Sequence, residues 1–145
     1  MKHRIPIVIL PLEAEGCHLL LEARWHKRKL RLVLDTGASK TVFDNHMLLA
    51  FFPTLELIRS EQQSAGLGTA AMESHLFDLE GLRLGKCRIQ GLQAAALDLS
   101  HILNSYEDMG HGPIHGILGG DVLWKYGAKI DYRKQIMHLH DALPA

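Results

Sequence analysis

The stretch Leu32-Val33-Leu34-Asp35-Thr36-Gly37-Ala38-Ser39 decides the reading of this chain. Three apolar residues run straight into an aspartate, and only small residues follow it. An apolar strand ending on a carboxylate carries that charge to the rim of a core, and Asp and Gly are also ordinary turn residues. A D-T-G triplet alone arises by chance in roughly 3% of chains of this length. Its weight therefore comes from what surrounds it.

Immediately upstream, Leu30-Arg31-Leu32-Val33-Leu34 alternates at its start and finishes apolar, the pattern of a strand entering a core. Residues 25–29 read as a polar turn, and Lys27-Arg28-Lys29 as its solvated tip, because nothing elsewhere extends the basic patch. Residues 17–24 and 5–12 read as two earlier strands, the first-placed one carrying prolines near its ends, where strands tolerate them. Downstream, residues 44–52 suit a short helix with Asp44 as N-cap and Pro53 as stop. Residues 64–71 are small and suit a mobile hairpin tip. Residues 74–84 read as strand with a turn at Gly81, and 88–99 as a further strand. Residues 101–105 suit a helical turn, 106–116 a loop, and 121–126 a short helix closed by Gly127. Residues 128–132 and 135–140 form a closing hairpin. No repeat or linker divides the chain, so residues 1–145 read as one domain, all-β with one or two short helices.

A second segment has the same character as the first: Gly116-Ile117-Leu118-Gly119-Gly120-Asp121-Val122-Leu123. It is followed by Tyr126-Gly127-Ala128-Lys129-Ile130-Asp131-Tyr132 and then Gln135-Ile136-Met137-His138-Leu139. With Asp35-Thr36-Gly37, these segments resemble the retropepsin-like aspartic proteases, specifically single-domain bacterial members. The resemblance covers about residues 5 to 140 with the elements in the family's order. It implies a closed β-barrel lobe and an aspartic endopeptidase.

That chemistry needs one group to activate water and another to protonate the carbonyl or leaving amine. Two carboxylates sharing a proton do both, since like charges about 3 Å apart do not both ionise readily. Aspartic proteases are the familiar example of such a pair. The chain has one D-T-G; Asp44, Asp78, Asp98, Asp108, Asp121, Asp131 and Asp141 lack its context. The resemblance therefore implies a C2 homodimer that sets Asp35 beside its mate. By the same resemblance, Thr36 bonds across the axis and Gly37 lets the backbone approach the carboxylates. Ala38, Ile117, Leu118 and Gly119 pack around the active loop and substrate, and Gly66, Leu67 and Gly68 form a flap that opens and closes over a polypeptide. Two departures stand out. Gly120 occupies the place where viral members carry a basic residue, and Ser39-Lys40 the place of their acidic one. The ion pair tying those two segments is thus absent or replaced.

Composition narrows the alternatives. Of 145 residues, 47% are hydrophobic and 22% charged, with sixteen basic residues against sixteen acidic. That balance argues against nucleic acid as the main partner. No apolar run is long enough to span a membrane. Residues 1–12 look faintly like a signal peptide but carry two prolines and no small-x-small cleavage site. The expected location is the cytoplasm, with Cys17 and Cys87 as structural thiols. Ten histidines, among them His101, His111, His115, His138 and His140, match no strong ligand spacing, so no metal or cofactor is expected. Asp121 is expected to cap or solvate its helix, and Trp124 and Tyr126 to pack the core or the dimer surface. The alternative function is a catalytically silent dimeric module of the same fold, binding extended peptides or a partner protein. A histidine-based metal-binding β-protein is a third, weaker reading.

Overall fold

In the computed structural model, residues 1–12, 15–59 and 74–142 are described. The chain begins with three long strands, β1 (Lys2–Pro11), β2 (Cys17–Trp25) and β3 (Arg28–Leu34). β2 and β3 are joined by a two-residue turn in which His26 and Lys27 both take positive φ, 48° and 67°. That geometry matches the right-handed twist of the strands it joins. Short strands follow: β4 (Val42–Asp44), β5 (Ile58–Arg59), β6 (His75–Asp78), β7 (Leu82–Leu84), β8 (Cys87–Ile89), β9 (Gln93–Leu97) and β10 (Gly116–Leu118). The hairpin β11 (Lys129–Asp131) and β12 (Ile136–His140) closes the chain. Among the described residues three helices interrupt them: α1 (Asn45–Phe51), α2 (Ser100–Asp108), where the sequence suggested only a helical turn, and α3 (Gly120–Lys125).

The expected closed barrel is not what forms. Strands run in the order β11-β12-β1-β2-β3-β10-β4-β9-β6-β5, with the β7–β8 hairpin attached to β2, and the two end strands do not meet. β1 is shared along this path. Its first half pairs with β12 and its second half with β2. Pro6 offers no N–H to the ladder, and the switch of partner follows it, with Ile7 donating to the Gln135 carbonyl at 3.0 Å. One strand therefore serves two sheet segments, and β5, only two residues long, ends the path on β6.

The apolar runs of β2 and β3 bury both faces. Leu19, Leu21, Ala23, Trp25, Leu30, Leu32 and Leu34 enter the main core. Leu20 and Val33 point the other way, into a second cluster with Leu10, Tyr106 and Ile114, capped by Ile102 and Leu103 of α2. A sheet covered on both faces shows continuous rather than alternating hydrophobicity. Trp25 centres the main core, with ring centroids 4.8 Å from Phe52, 5.5 Å from Phe77 and 6.0 Å from Phe43. Its indole N–H donates to the Glu80 carbonyl at 2.8 Å. Of the two residues expected in the core or at the dimer surface, Tyr126 is in the core and Trp124, 89% exposed, is on the surface of the single chain. No helix among the described residues is long and apolar enough to cross a membrane.

Candidate active site

β3 and β10 run parallel, pairing Leu34 with Leu118, and the Asp35 N–H extends the ladder to the Leu118 carbonyl at 3.1 Å. The apolar strand thus holds the Asp35 backbone while its side chain leaves the core. Asp35, Thr36 and Gly37 are all exposed in the single chain, and Ala38 is half-buried. The Gly37 N–H donates to Asp35 Oδ1 at 2.9 Å, and the Ala38 N–H to the Asp35 carbonyl at 3.3 Å. A Cβ on Gly37 would stand 3.3 Å from the same carboxylate oxygen. Glycine therefore lets the loop curl tightly around the acid.

The far end of this loop is anchored by a buried network. Thr41, with no exposed surface, donates its hydroxyl to Asp121 Oδ1 at 2.7 Å. Its backbone N–H lies 3.0 Å from both Asp121 carboxylate oxygens. The Thr41 hydroxyl oxygen accepts the Gly119 N–H at 3.0 Å, and Gly120 donates to the Ala38 carbonyl at 2.6 Å. Asp121 also accepts the Val122 N–H at 2.8 Å, in the first turn of α3. The two motif segments are tied by a carboxylate–threonine lock in place of the ion pair. Gly119 makes the approach sterically possible: a Cβ there would meet the Lys40 carbonyl atoms at 2.7 Å and the Ala38 oxygen at 2.9 Å.

Asp35 opens into a groove of about 800 Å³. Thr36, Gly37, Ala38 and Ile117 share its lining, with His18, Leu76, Ile102 and Tyr106 among its walls, and Asp35 is the one carboxylate among the described lining residues. Leu118 and Gly119 do not line it: the first is core, the second lies behind the loop. Gly66, Leu67 and Gly68 lie outside the described residues. Neither described group of metal-ligating side chains includes a residue of the groove.

Sequence reasoning missed the α2 wall. Residues 101–105 suggested one helical turn, whereas Ser100–Asp108 forms a helix whose Tyr106 meets His18 edge-on at 5.3 Å. Burial pushes the Tyr106 phenol above its ordinary value, and the negative charge of Asp35 adds to the effect. The missed signal was the spacing of Ile102, Leu103 and Tyr106, a helical apolar stripe. Behind it, Asp44 caps α1 by accepting the Met47 N–H at 3.0 Å and, with its other oxygen, the Leu99 N–H at 3.0 Å. One buried aspartate thereby caps α1 and ties it to the residue that precedes α2.

Residues 21–122 match the protein family described as aspartyl protease. Among solved structures, the chain is similar to a retropepsin-like aspartic protease from Rickettsia conorii, at 17% identity and a TM-score of 0.56, covering 99% of this chain and 94% of that one. It is also similar to the retroviral protease-like domain of Ddi1 from Leishmania major, at 12% identity and a TM-score of 0.60, covering 88% and 94%. No curated protein matches the sequence.

Proposed function

Because the chain belongs to the aspartyl protease family, in its retropepsin-like branch, we propose that it is an aspartic endopeptidase whose active unit is a homodimer. The observation that carries this reading is the isolated carboxylate. Asp35 stands exposed in a groove of about 800 Å³, with no second described carboxylate lining that groove. A single carboxylate cannot hold both the base and the acid role in one step. A two-fold axis beside the loop supplies the second from the partner.

In this reading the dyad carries one proton. The ionised member takes a proton from the attacking water, and the protonated one donates to the substrate carbonyl oxygen. The tetrahedral species then collapses as the leaving nitrogen is protonated. Gly37 keeps one oxygen of Asp35 oriented through its N–H. Thr36 braces the loop across the axis. Ala38 and Ile117 contact the peptide, and Leu118 and Gly119 support the loop from behind. Gly66, Leu67 and Gly68 act as the flap. The apolar wall of Leu76, Ile102 and Ile117 favours apolar side chains next to the scissile bond.

A peptide-library digest with wild type and Asp35→Asn side by side tests the reading. The amide is nearly isosteric but cannot act as base, so cleavage is lost while the fold is kept. Peptide binding by the wild type without any cleavage would instead identify a silent binding module.

A further inference from the structure

The ends of the chain converge on a set of donors far from the groove. His3 of β1 and Cys87 of β8 are buried, and Asp141 follows β12. One ligand atom from each of the three lies within 4.8 Å of the others. His3 Nε2 is 2.7 Å from Asp141 Oδ1. Cys87 is a free thiol in the core, on a hairpin whose other inward residues, Leu82, Leu84 and Ile89, are all apolar. A further aliphatic side chain would fill that place as well. A thiol there completes a mixed nitrogen, oxygen and sulfur set.

We propose that His3, Cys87 and Asp141 form a binding site for a divalent transition metal of the zinc type. Imidazole, thiolate and carboxylate are the three protein ligand types that zinc accepts. Two nitrogen or oxygen ligands about 2.0 Å from a tetrahedral ion stand roughly 3.3 Å apart. The ion therefore replaces the His3–Asp141 hydrogen bond and moves that pair apart by a fraction of an ångström. Cys87 loses its proton to solvent on binding. Asp141 is 59% exposed and its Oδ2 lies 3.2 Å from the Met1 ammonium, so Oδ1 is the oxygen that turns from His3 to the ion, and the exposed side chain provides the entry path. The other candidate set, Asp44, His46 and Asp98, is weaker, because buried Asp44 accepts two backbone N–H groups, those of Met47 and Leu99, which an ion there would strand.

The ligands come from three distant segments, so the site clasps the start of β1, the β7–β8 hairpin and the end of the chain. Metal binding stabilises the native state by linkage. It is independent of Asp35 and of any proteolysis.

The test is a Co²⁺ titration of full-length protein freed of metal by a chelator and kept reduced, with Co²⁺ as the spectroscopic stand-in for Zn²⁺. The expected result is a thiolate-to-cobalt charge-transfer band in the near ultraviolet, saturating at one equivalent and abolished by added Zn²⁺. Zn²⁺ is also expected to raise Tm by a few degrees. Cys87→Ser abolishes the band, and His3→Gln weakens it. Because both residues are buried, the exposed Asp141→Asn is the decisive variant, and its Co²⁺ affinity falls by about tenfold or more with the fold unchanged. A wild type that binds Co²⁺ without a thiolate band, through surface histidines, would overturn the proposal. So would an Asp141→Asn protein that binds as tightly as wild type.

Discussion

Removing the Asp121 carboxylate is expected to cost far more than its half-exposed position suggests. Asp121→Ala strands two donors of Thr41, its N–H and its hydroxyl, in a site with no access to water. Each buried donor left without an acceptor costs about 1–3 kcal/mol. Loss of the acidic group from the first turn of α3 adds about 0.5 kcal/mol. The bonds share one carboxylate and are not additive, so the expected total is about 3–4 kcal/mol, a large part of the roughly 5–15 kcal/mol that holds a domain together. Asp121→Asn keeps one acceptor oxygen and is expected to cost only about 1 kcal/mol. Thr41→Val strands the Gly119 N–H and costs about 2 kcal/mol. Urea unfolding followed by the fluorescence of buried Trp25 reads all three, and the Thr41→Val/Asp121→Ala cycle should show coupling of about 1–2 kcal/mol. An Asp121→Ala protein within about 1 kcal/mol of wild type, or an Asn variant as damaged as the Ala variant, would refute the lock.

Other outcomes follow from the same geometry. Gly119→Ala drives a Cβ into the Lys40 and Ala38 backbone at 2.7–2.9 Å. Since φ is −107° there, the penalty is a clash of about 3 kcal/mol, read as a lower urea midpoint with a matching loss of turnover. His115 is held below its ordinary value of 6.5 chiefly by burial and then by the Arg31 charge, and its Nδ1 accepts the Arg31 N–H at 2.9 Å. Its folded value lies below its unfolded one, so its contribution is complete above about pH 6.5 and is lost as pH falls toward the depressed value. Urea midpoints measured from pH 7 down to pH 5 should fall less in His115→Gln than in wild type. Peptide cleavage should follow a bell in the acidic to weakly acidic range, with activity per chain dropping on dilution; a dilution-independent rate would contradict a site shared between chains.

Local chemistry carried most of what could be read without coordinates. Asp44 announced α1 because a capping side chain needs only its neighbours. Gly127, at φ 56°, ended α3 for a similarly local reason. Errors arose where distant pairing decides. Residues 88–99 looked like one strand, but the positive φ of Gly91 falls between β8, which pairs with β7, and β9, which joins the β4–β6 region. β1 changes partners after Pro6, from β12 to β2, and the sheet's end strands stay apart; both are matters of distant pairing that no window of sequence contains. Asp35 was legible because its motif is contiguous. The Thr41–Asp121 lock and the convergence of His3, Cys87 and Asp141 were not, because they join residues far apart in the chain, Thr41 and Asp121 by 80 positions and His3 and Asp141 by 138.

The shared dyad is tested most directly by mixing subunits. Wild type and Asp35→Asn are co-refolded at increasing proportions of the variant, at total concentrations well above the dimer dissociation constant, and cleavage of one peptide is measured. If both carboxylates are needed in one site, activity follows the square of the wild-type fraction and falls to about a quarter in an equal mixture. Activity that declines only in proportion to the wild-type fraction would mean each chain works alone, and would contradict an active site built from two copies of Asp35.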